Sequence, residues 1–184
     1  MRRSLTLHPD STCTVVTGIE VEAARTDRNL LTLRYALTGK IDALKLPSMV
    51  SPTRSDELWR TTCFEAFLRT ADSAAYYELN FAPSTEWAAY RFSDYREGMA
   101  VATVVETPRI ELRTTDAIFE LQASLSLHDL PGLPSDRPWH LGLSAVIEEA
   151  NGQLSYWALA HPPGKPNFHH SDCFAWVLPV AGQP

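Results

Sequence analysis

The chain has 184 residues, of which 45% are hydrophobic, and this is enough for one domain with its own core. Its formal net charge is −6 and it has no basic run, so a nucleic acid is not an expected partner. No segment approaches the roughly 18 consecutive apolar residues of a membrane span, so a membrane is not an expected partner either. We interpret residues 1–184 as a single domain.

The cysteines and the first segment indicate the expected compartment. The three cysteines are widely spaced and form no CxxC pair, which argues against a zinc–thiolate site. The segment MRRSLTLHPDSTC has two arginines but no apolar stretch typical of a secretory signal. A cytoplasmic location, where thiols stay reduced, is therefore the expectation.

Apolar and polar residues alternate along most of the chain, which predicts β-strands with one buried face. In chain order the predicted strands are Thr14–Glu22, Asn29–Thr38, Thr61–Arg69, Tyr76–Phe81, Trp87–Phe92, Ala100–Glu106, Arg109–Arg113, Ile118–Leu127, Trp139–Glu148, Ser155–Leu159 and Cys173–Leu178. The pair Asn151-Gly152 is typical of a hairpin turn. No long amphipathic helix is evident, although 127–138 could hold one helical turn. Many short strands separated by turns favour an all-β fold, a β-sandwich.

Two glutamates, Glu65 and Glu78, lie within this apolar, strand-forming sequence. An ionised carboxylate is rarely left in a sheet without a partner, because desolvation disfavours its charge. Alternation places Glu65 on one face of its strand, and Glu78 and Asn80 together on one face of the next. If these strands are neighbours, the three side chains converge on one polar patch, which favours a ligand-binding surface.

Other interpretations of the glutamates remain open. One of them could pair with Arg34, Arg91 or Arg96 and simply hold the sandwich together. Paired carboxylates also occur in glycosidases, but that chemistry requires a defined separation that the sequence does not supply.

Aromatic residues give a second indication of a binding surface. Five tryptophans are present, and most are expected in the core. Trp59 is the best exception, because the long loop Leu46–Asp56 enters a strand there. Sugar rings stack their C–H faces on aromatic rings while their hydroxyls bond to carboxylates and amides, so a tryptophan beside glutamate and asparagine suits a saccharide.

A third indication is the proline-rich stretch Ser155–Cys173. It carries His161, Lys165, His169 and His170, which could clamp an anionic or polyhydroxyl ligand or could simply be solvated. The spacing of the histidines matches no zinc template, so no metal site is predicted.

Several segments, in this order, resemble the DOMON-like superfamily, and in particular its bacterial branch, which is related to the family-nine carbohydrate-binding modules. These segments are W-x3-C-F-E-x-F at Trp59–Phe67, YELNFAPS at Tyr77–Ser84, WAAYRFSDYREGM at Trp87–Met99, YWALAHPPGKPNFH in the carboxyl-terminal loop and CFAWVL after it. The resemblance extends from about Asn29 to Leu178. It implies a β-sandwich of two antiparallel, curved sheets with a ligand pocket on one concave face.

The resemblance also implies candidate site residues. By position, Trp59, Glu65, Glu78, Asn80 and Trp157 would bind a sugar. The loop composition described above adds His161, Lys165 and His169 as candidate ligand-binding residues. No cofactor is expected on this interpretation. The haem-binding branch suggests an alternative with Met99 and His169 as axial ligands, or Met49 and His161 in their place. The leading hypothesis is a non-catalytic module for a small carbohydrate, with a haem domain or a glutamate-dependent sugar hydrolase or isomerase as alternatives.

Overall fold

The computed structural model of the chain describes residues 2–26, 30–104, 106–128 and 130–181 and consists mainly of antiparallel strands. The strands are β1 (Arg2–Leu7), β2 (Val16–Arg25), β3 (Leu30–Gly39), β4 (Cys63–Arg69), β5 (Tyr76–Phe81), β6 (Trp87–Phe92), β7 (Ala100–Val101), β8 (Arg109–Thr114), β9 (Ile118–Ser126), β10 (Trp139–Glu148), β11 (Leu154–Ala158) and β12 (Trp176–Leu178). Short 3-10 helices span Ile41–Ala43, Leu58–Arg60 and Ser171–Cys173. Within the described ranges no helix is long and apolar enough to cross a membrane.

The strands form one continuous, strongly curled sheet. Its order is β7-β6-β5-β4-β10-β11-β1-β2-β3-β9-β8, and β12 pairs with the first part of β10. β1 joins the two halves, because its last residues pair with β11 and its earlier residues pair with β2. The all-β prediction is confirmed. The finer prediction of two separate sheets is not confirmed, since hydrogen bonds run through β1 from one half to the other.

The curl brings the two halves of the sheet face to face around the main apolar core. The ring of Phe64 on β4 lies 5.1 Å from that of Tyr35 on β3 and 6.0 Å from that of Phe119 on β9. The Tyr35 hydroxyl donates a hydrogen bond of 2.7 Å to the backbone oxygen of Glu65. Alternation along β4 therefore sends Phe64 into the core and the neighbouring Glu65 to the opposite face.

That opposite face carries a second, smaller apolar cluster, which includes Phe67, Tyr76 and Phe92. The segment between β11 and β12 contributes Phe168 and Phe174 to the same cluster. Residues on this face of the sheet are thus covered by a loop instead of by a second layer of strands, which leaves room for a cleft.

Most predicted strands agree with the structure to within two or three residues. Asn29 lies outside the described residues. The predicted Ala100–Glu106 shortens to the two residues of β7, and Cys173–Leu178 shortens because Cys173 ends a 3-10 helix. The turn at Asn151-Gly152 joins β10 to β11 as predicted. β1 was not predicted, because only Leu5 in it is buried.

Candidate functional site

The two glutamates lie on adjacent strands, as the alternation predicted. β4 and β5 pair antiparallel, with Glu65 opposite Asn80 and Phe67 opposite Glu78. Glu65 and Glu78 are therefore diagonal neighbours on the face away from the main core. Their side chains are almost fully buried, with residue exposures of 3% and 5%.

Both carboxyl groups have neutral hydrogen-bond donors. The Asn80 amide donates to Glu78 Oε1 at 2.8 Å, and the Ser144 hydroxyl donates to Glu65 Oε2 at 3.3 Å. Among the described residues, no lysine or arginine forms an ion pair with either carboxyl group. Arg34 pairs instead with Glu22 and Glu120 on the outer face of the sheet. The contacts therefore do not support an arginine partner for either glutamate.

Burial sets the protonation of this pair. Desolvation, and then the nearby charge of Glu78, hold the pKa of the Glu65 carboxyl well above its ordinary value. Desolvation also raises the pKa of Glu78, although the Asn80 amide and the positive charge of Arg96 oppose this. The folded protein thus keeps a proton on this pair at a pH where exposed glutamates have lost theirs.

This leads to a prediction about stability. Because the pKa of Glu65 is raised above the ordinary 4.5, the folded state holds a proton that the unfolded chain releases, so the free energy of unfolding falls as pH rises above that value. Glu65→Gln removes this effect. We expect its stability relative to the native chain to increase with pH, by up to about 1.4 kcal/mol per pH unit. Urea unfolding between about pH 5 and pH 8 measures the difference.

The pKa values of Tyr35 and of the Cys63 thiol are raised by burial, so neither group ionises in this range. Glu78 interacts electrostatically with Glu65, so the difference between the two proteins reports the ionisation of the pair. The exposed Glu106→Gln is the matched control and is expected to follow the native curve. If the free energies of unfolding of Glu65→Gln and the native chain changed in parallel with pH, a buried, protonated Glu65 would be contradicted.

His169 completes the polar part of the site. Its Nε2 atom lies 3.7 Å from Glu78 Oε2, and its Nδ1 atom lies 2.8 Å from the Tyr76 hydroxyl oxygen. The Arg96 backbone N–H donates to that oxygen at 3.1 Å, and we therefore assign the tyrosine as the donor to Nδ1. In this assignment the histidine proton is on Nε2, toward Glu78. Desolvation lowers the pKa of His169 to about 4, which keeps the imidazole neutral near pH 7.

These side chains form the base of a cleft of about 390 Å³. Five adjacent strands each contribute one residue to it: Phe92 from β6, Glu78 from β5, Glu65 from β4, Val146 from β10 and Tyr156 from β11. Trp59, Arg96, Met99, Pro166, Phe168 and His169 close it from the connecting segments. The cleft therefore combines aromatic walls with a carboxyl floor.

The position of Trp59 in the lining of the cleft is fixed by its neighbours. It lies in the 3-10 helix Leu58–Arg60, and its ring meets the ring of Tyr90 edge-on at 5.8 Å. The Tyr90 hydroxyl donates to Asp56 at 2.6 Å, and Arg54 pairs with the same carboxylate at 2.6 Å. The end of the long loop Leu46–Asp56 is thus anchored to the sheet immediately before the tryptophan.

A larger recess of about 520 Å³ lies along the connection between β9 and β10. Its described lining comes from that single connection and includes no Trp, Tyr or Phe side chain. The cleft over β4 and β5 is the better candidate, because it brings together groups from five strands and several loops.

The predicted site residues fall into two sets. Trp59, Glu65, Glu78 and His169 line the cleft, and Asn80 lies behind Glu78 and bonds to it. Trp157, His161 and Lys165 do not line it. Trp157 packs in the main core and its indole N–H donates to Ser155, His161 contacts the backbone oxygen of Thr6 at 2.8 Å, and Lys165 is exposed.

Sequence reasoning did not include Phe92, Arg96, Tyr156 or Phe168 in a sugar site. Phe92 was detectable, because alternation along β6 places it on the same face as Tyr90. Tyr156 required the knowledge that β11 follows β10 in the sheet. Phe168 and Arg96 depend on the paths of loops, which no periodicity indicates.

Fold and cleft together define a curled all-β domain with a ligand-sized site on one face of the sheet. In structure the chain is similar to a putative carbohydrate-binding protein from Bacteroides uniformis, with a TM-score of 0.71, 14% identity and coverage of 97% of this chain and 85% of that one. It is also similar to a family-nine carbohydrate-binding module from Caldicellulosiruptor kristjanssonii. The TM-score is 0.54 for its glucose complex (11% identity, 98% and 86% coverage) and 0.59 for its cellotriose complex (12% identity, 98% and 83% coverage).

At these identities the likeness shows a shared fold. The fold predicted from the resemblance is therefore supported, whereas the DOMON-like assignment is not confirmed. No protein-family model matches the chain, and no curated protein does so.

Proposed function

We propose that this chain is a non-catalytic module that binds a small saccharide in the cleft over β4 and β5. The observation that carries the proposal is the combination of Trp59 and other aromatic rings with two buried carboxyl groups in one cleft. Such a cleft suits a sugar ring, whose C–H faces pack on aromatic rings and whose hydroxyls bond to carboxyl groups. The similar structures are described as carbohydrate-binding, which supports the same ligand class.

Each residue has a distinct role in this proposal. Trp59 and Tyr156 pack against the sugar ring, while Glu65, Glu78 and the Nε2–H of His169 bond to its hydroxyls. Asn80 and Ser144 orient the two carboxyl groups through the hydrogen bonds described above. The cleft volume of about 390 Å³ is at the small end of ligand pockets and suits one or two sugar units.

The alternative of a haem domain fits these residues less well. Met99 and His169 both line the cleft, as that alternative requires. However, His169 Nε2 lies 3.7 Å from the buried carboxyl group of Glu78, so an iron on this nitrogen would have a carboxyl group beside it instead of an apolar surface. The two carboxyl groups also make the floor polar, where a haem needs an apolar slot.

Thermal unfolding in the presence of sugars tests the proposal. A ligand at about 100 times its dissociation constant stabilises the fold by roughly 2.7 kcal/mol, which is several degrees for a chain of this size. We expect such a shift with at least one monosaccharide or disaccharide and its loss in Trp59→Ala. A panel of neutral and charged sugars that leaves the melting temperature unchanged would contradict the proposal.

A further inference from the structure

The proposed saccharide site has two buried acidic groups, and Arg96, the cation among its described lining residues, forms no ion pair with either of them. Glu65 and Glu78 are buried at its floor, and the nearest partners of their carboxyl groups are Ser144, Asn80 and the neutral His169. A neutral sugar would leave the two buried carboxyl groups without a positively charged partner. A ligand that carries a positive charge would stabilise their ionised form.

We propose that the cleft binds an amino sugar, which carries a protonated amine, more tightly than the corresponding neutral sugar. This inference rests on the proposed function. A primary ammonium has three N–H donors and no acceptor, which matches a floor made of carboxyl oxygens. Hydrogen bonds between an ammonium and a carboxylate are about twice as strong as those between neutral groups.

The walls of the cleft suit the same ligand. Trp59, Phe92, Tyr156 and Phe168 line it, and aromatic faces attract a desolvated cation through their negative π surface. Carboxyl groups below and aromatic rings around them therefore favour an organic cation more than they favour an anion or a phosphate.

The other titratable groups near the carboxyls do not supply the missing charge. Burial raises the pKa of the Cys63 thiol and of the Tyr76 hydroxyl, so both are neutral, and the lowered pKa keeps His169 neutral. Arg96 is the cation of the rim. It is exposed, and its guanidinium donates to Asn167 at 3.2 Å instead of to a carboxyl group.

Binding of the ammonium is coupled to ionisation of the pair. Because the pKa values of Glu65 and Glu78 are raised, part of the pair must lose a proton when the amine binds. The affinity for an amino sugar is therefore expected to rise between about pH 5 and pH 7, where the amine stays charged. A neutral sugar has no charge that favours this ionisation, so its affinity is not expected to rise.

Titration calorimetry with matched pairs tests the inference: glucosamine with glucose, galactosamine with galactose, and mannosamine with mannose, near pH 6.5. We expect the amino member of the best-bound pair to bind at least tenfold more tightly. If the neutral member binds equally or better, the amino-sugar inference is overturned while the proposed function stands. If no member of any pair binds, both are overturned.

A variant without one of the two carboxyl groups tests whether the preference for the amino sugar arises at the floor of the cleft. Glu78→Gln keeps the shape of the side chain. We expect it to weaken both sugars of a pair but to weaken the amino sugar more, so that the ratio of the two Kd values approaches one. The control Glu97→Gln removes an exposed carboxylate from the neighbouring β6–β7 hairpin and is expected to retain the preference. An unchanged preference in Glu78→Gln, with its fold verified by thermal melting, would contradict the assignment.

Discussion

Replacing Phe64 with alanine is expected to lower the free energy of unfolding by about 3–5 kcal/mol, the usual cost of emptying a fully buried phenylalanine site. Phe64 has no exposed surface, and its ring contacts Tyr35 and Phe119 on the opposite half of the curled sheet. The expected fall in melting temperature is roughly 6–20 °C for a chain of this size. Urea and thermal unfolding measure the change.

The variant Tyr35→Phe provides a graded comparison. It keeps the ring but removes the hydroxyl that donates to the Glu65 backbone, so we expect a smaller loss of about 1–2 kcal/mol. If Phe64→Ala cost less than Tyr35→Phe, the two halves of the sheet would not pack through Phe64 as described.

The second large effect is expected on binding. Trp59→Ala removes an aromatic wall of the cleft, and we expect it to weaken saccharide binding by about 2 kcal/mol, or roughly thirtyfold in Kd. The fold is expected to survive, because Trp59 is half-buried and lies in a single helical turn outside the main core. Calorimetry with the sugar identified by the thermal screen measures the loss.

Trp157 offers the matched control for this experiment. It is a tryptophan of the same chain but lies in the main core, so Trp157→Phe is expected to lower stability and to leave Kd nearly unchanged. The opposite pattern, with Kd sensitive to Trp157 and insensitive to Trp59, would move the site away from the cleft.

The strand carboxyls could be predicted from the sequence because a strict period of two leaves only two orientations for each side chain. Once β4 and β5 are taken as neighbours with their polar positions on the same side, Glu65, Glu78 and Asn80 share a face, and the register of the structure places them so. The same rule places the core residues Phe64 and Leu79 on the other face. Local alternation therefore gave most of the all-β fold and the polar floor of the site.

The remaining cleft residues and strand β1 could not be predicted, because their positions depend on contacts between distant segments. Trp157 and Tyr156 are adjacent in the chain, and only the register of β11 decides that Tyr156 lines the cleft while Trp157 enters the core. The irregular stretch after β11 has no period, so nothing local distinguishes His169, which reaches Glu78, from His161, which contacts Thr6. β1 has only one buried position and is recognisable as a strand only through its two partners.

The position of β1 has a consequence for how the molecule assembles. β1 meets β2 locally, but its pairing with β11 joins Thr6 to Ala158, across most of the chain. Contacts between such distant residues carry a loop-closure cost and form slowly, so the pairing of β1 with β11 is expected to form late in folding. During synthesis the backbone groups of β1 that pair with β11 remain unpaired until β11 has been made. In that interval they form an exposed strand edge to which another nascent chain can hydrogen-bond.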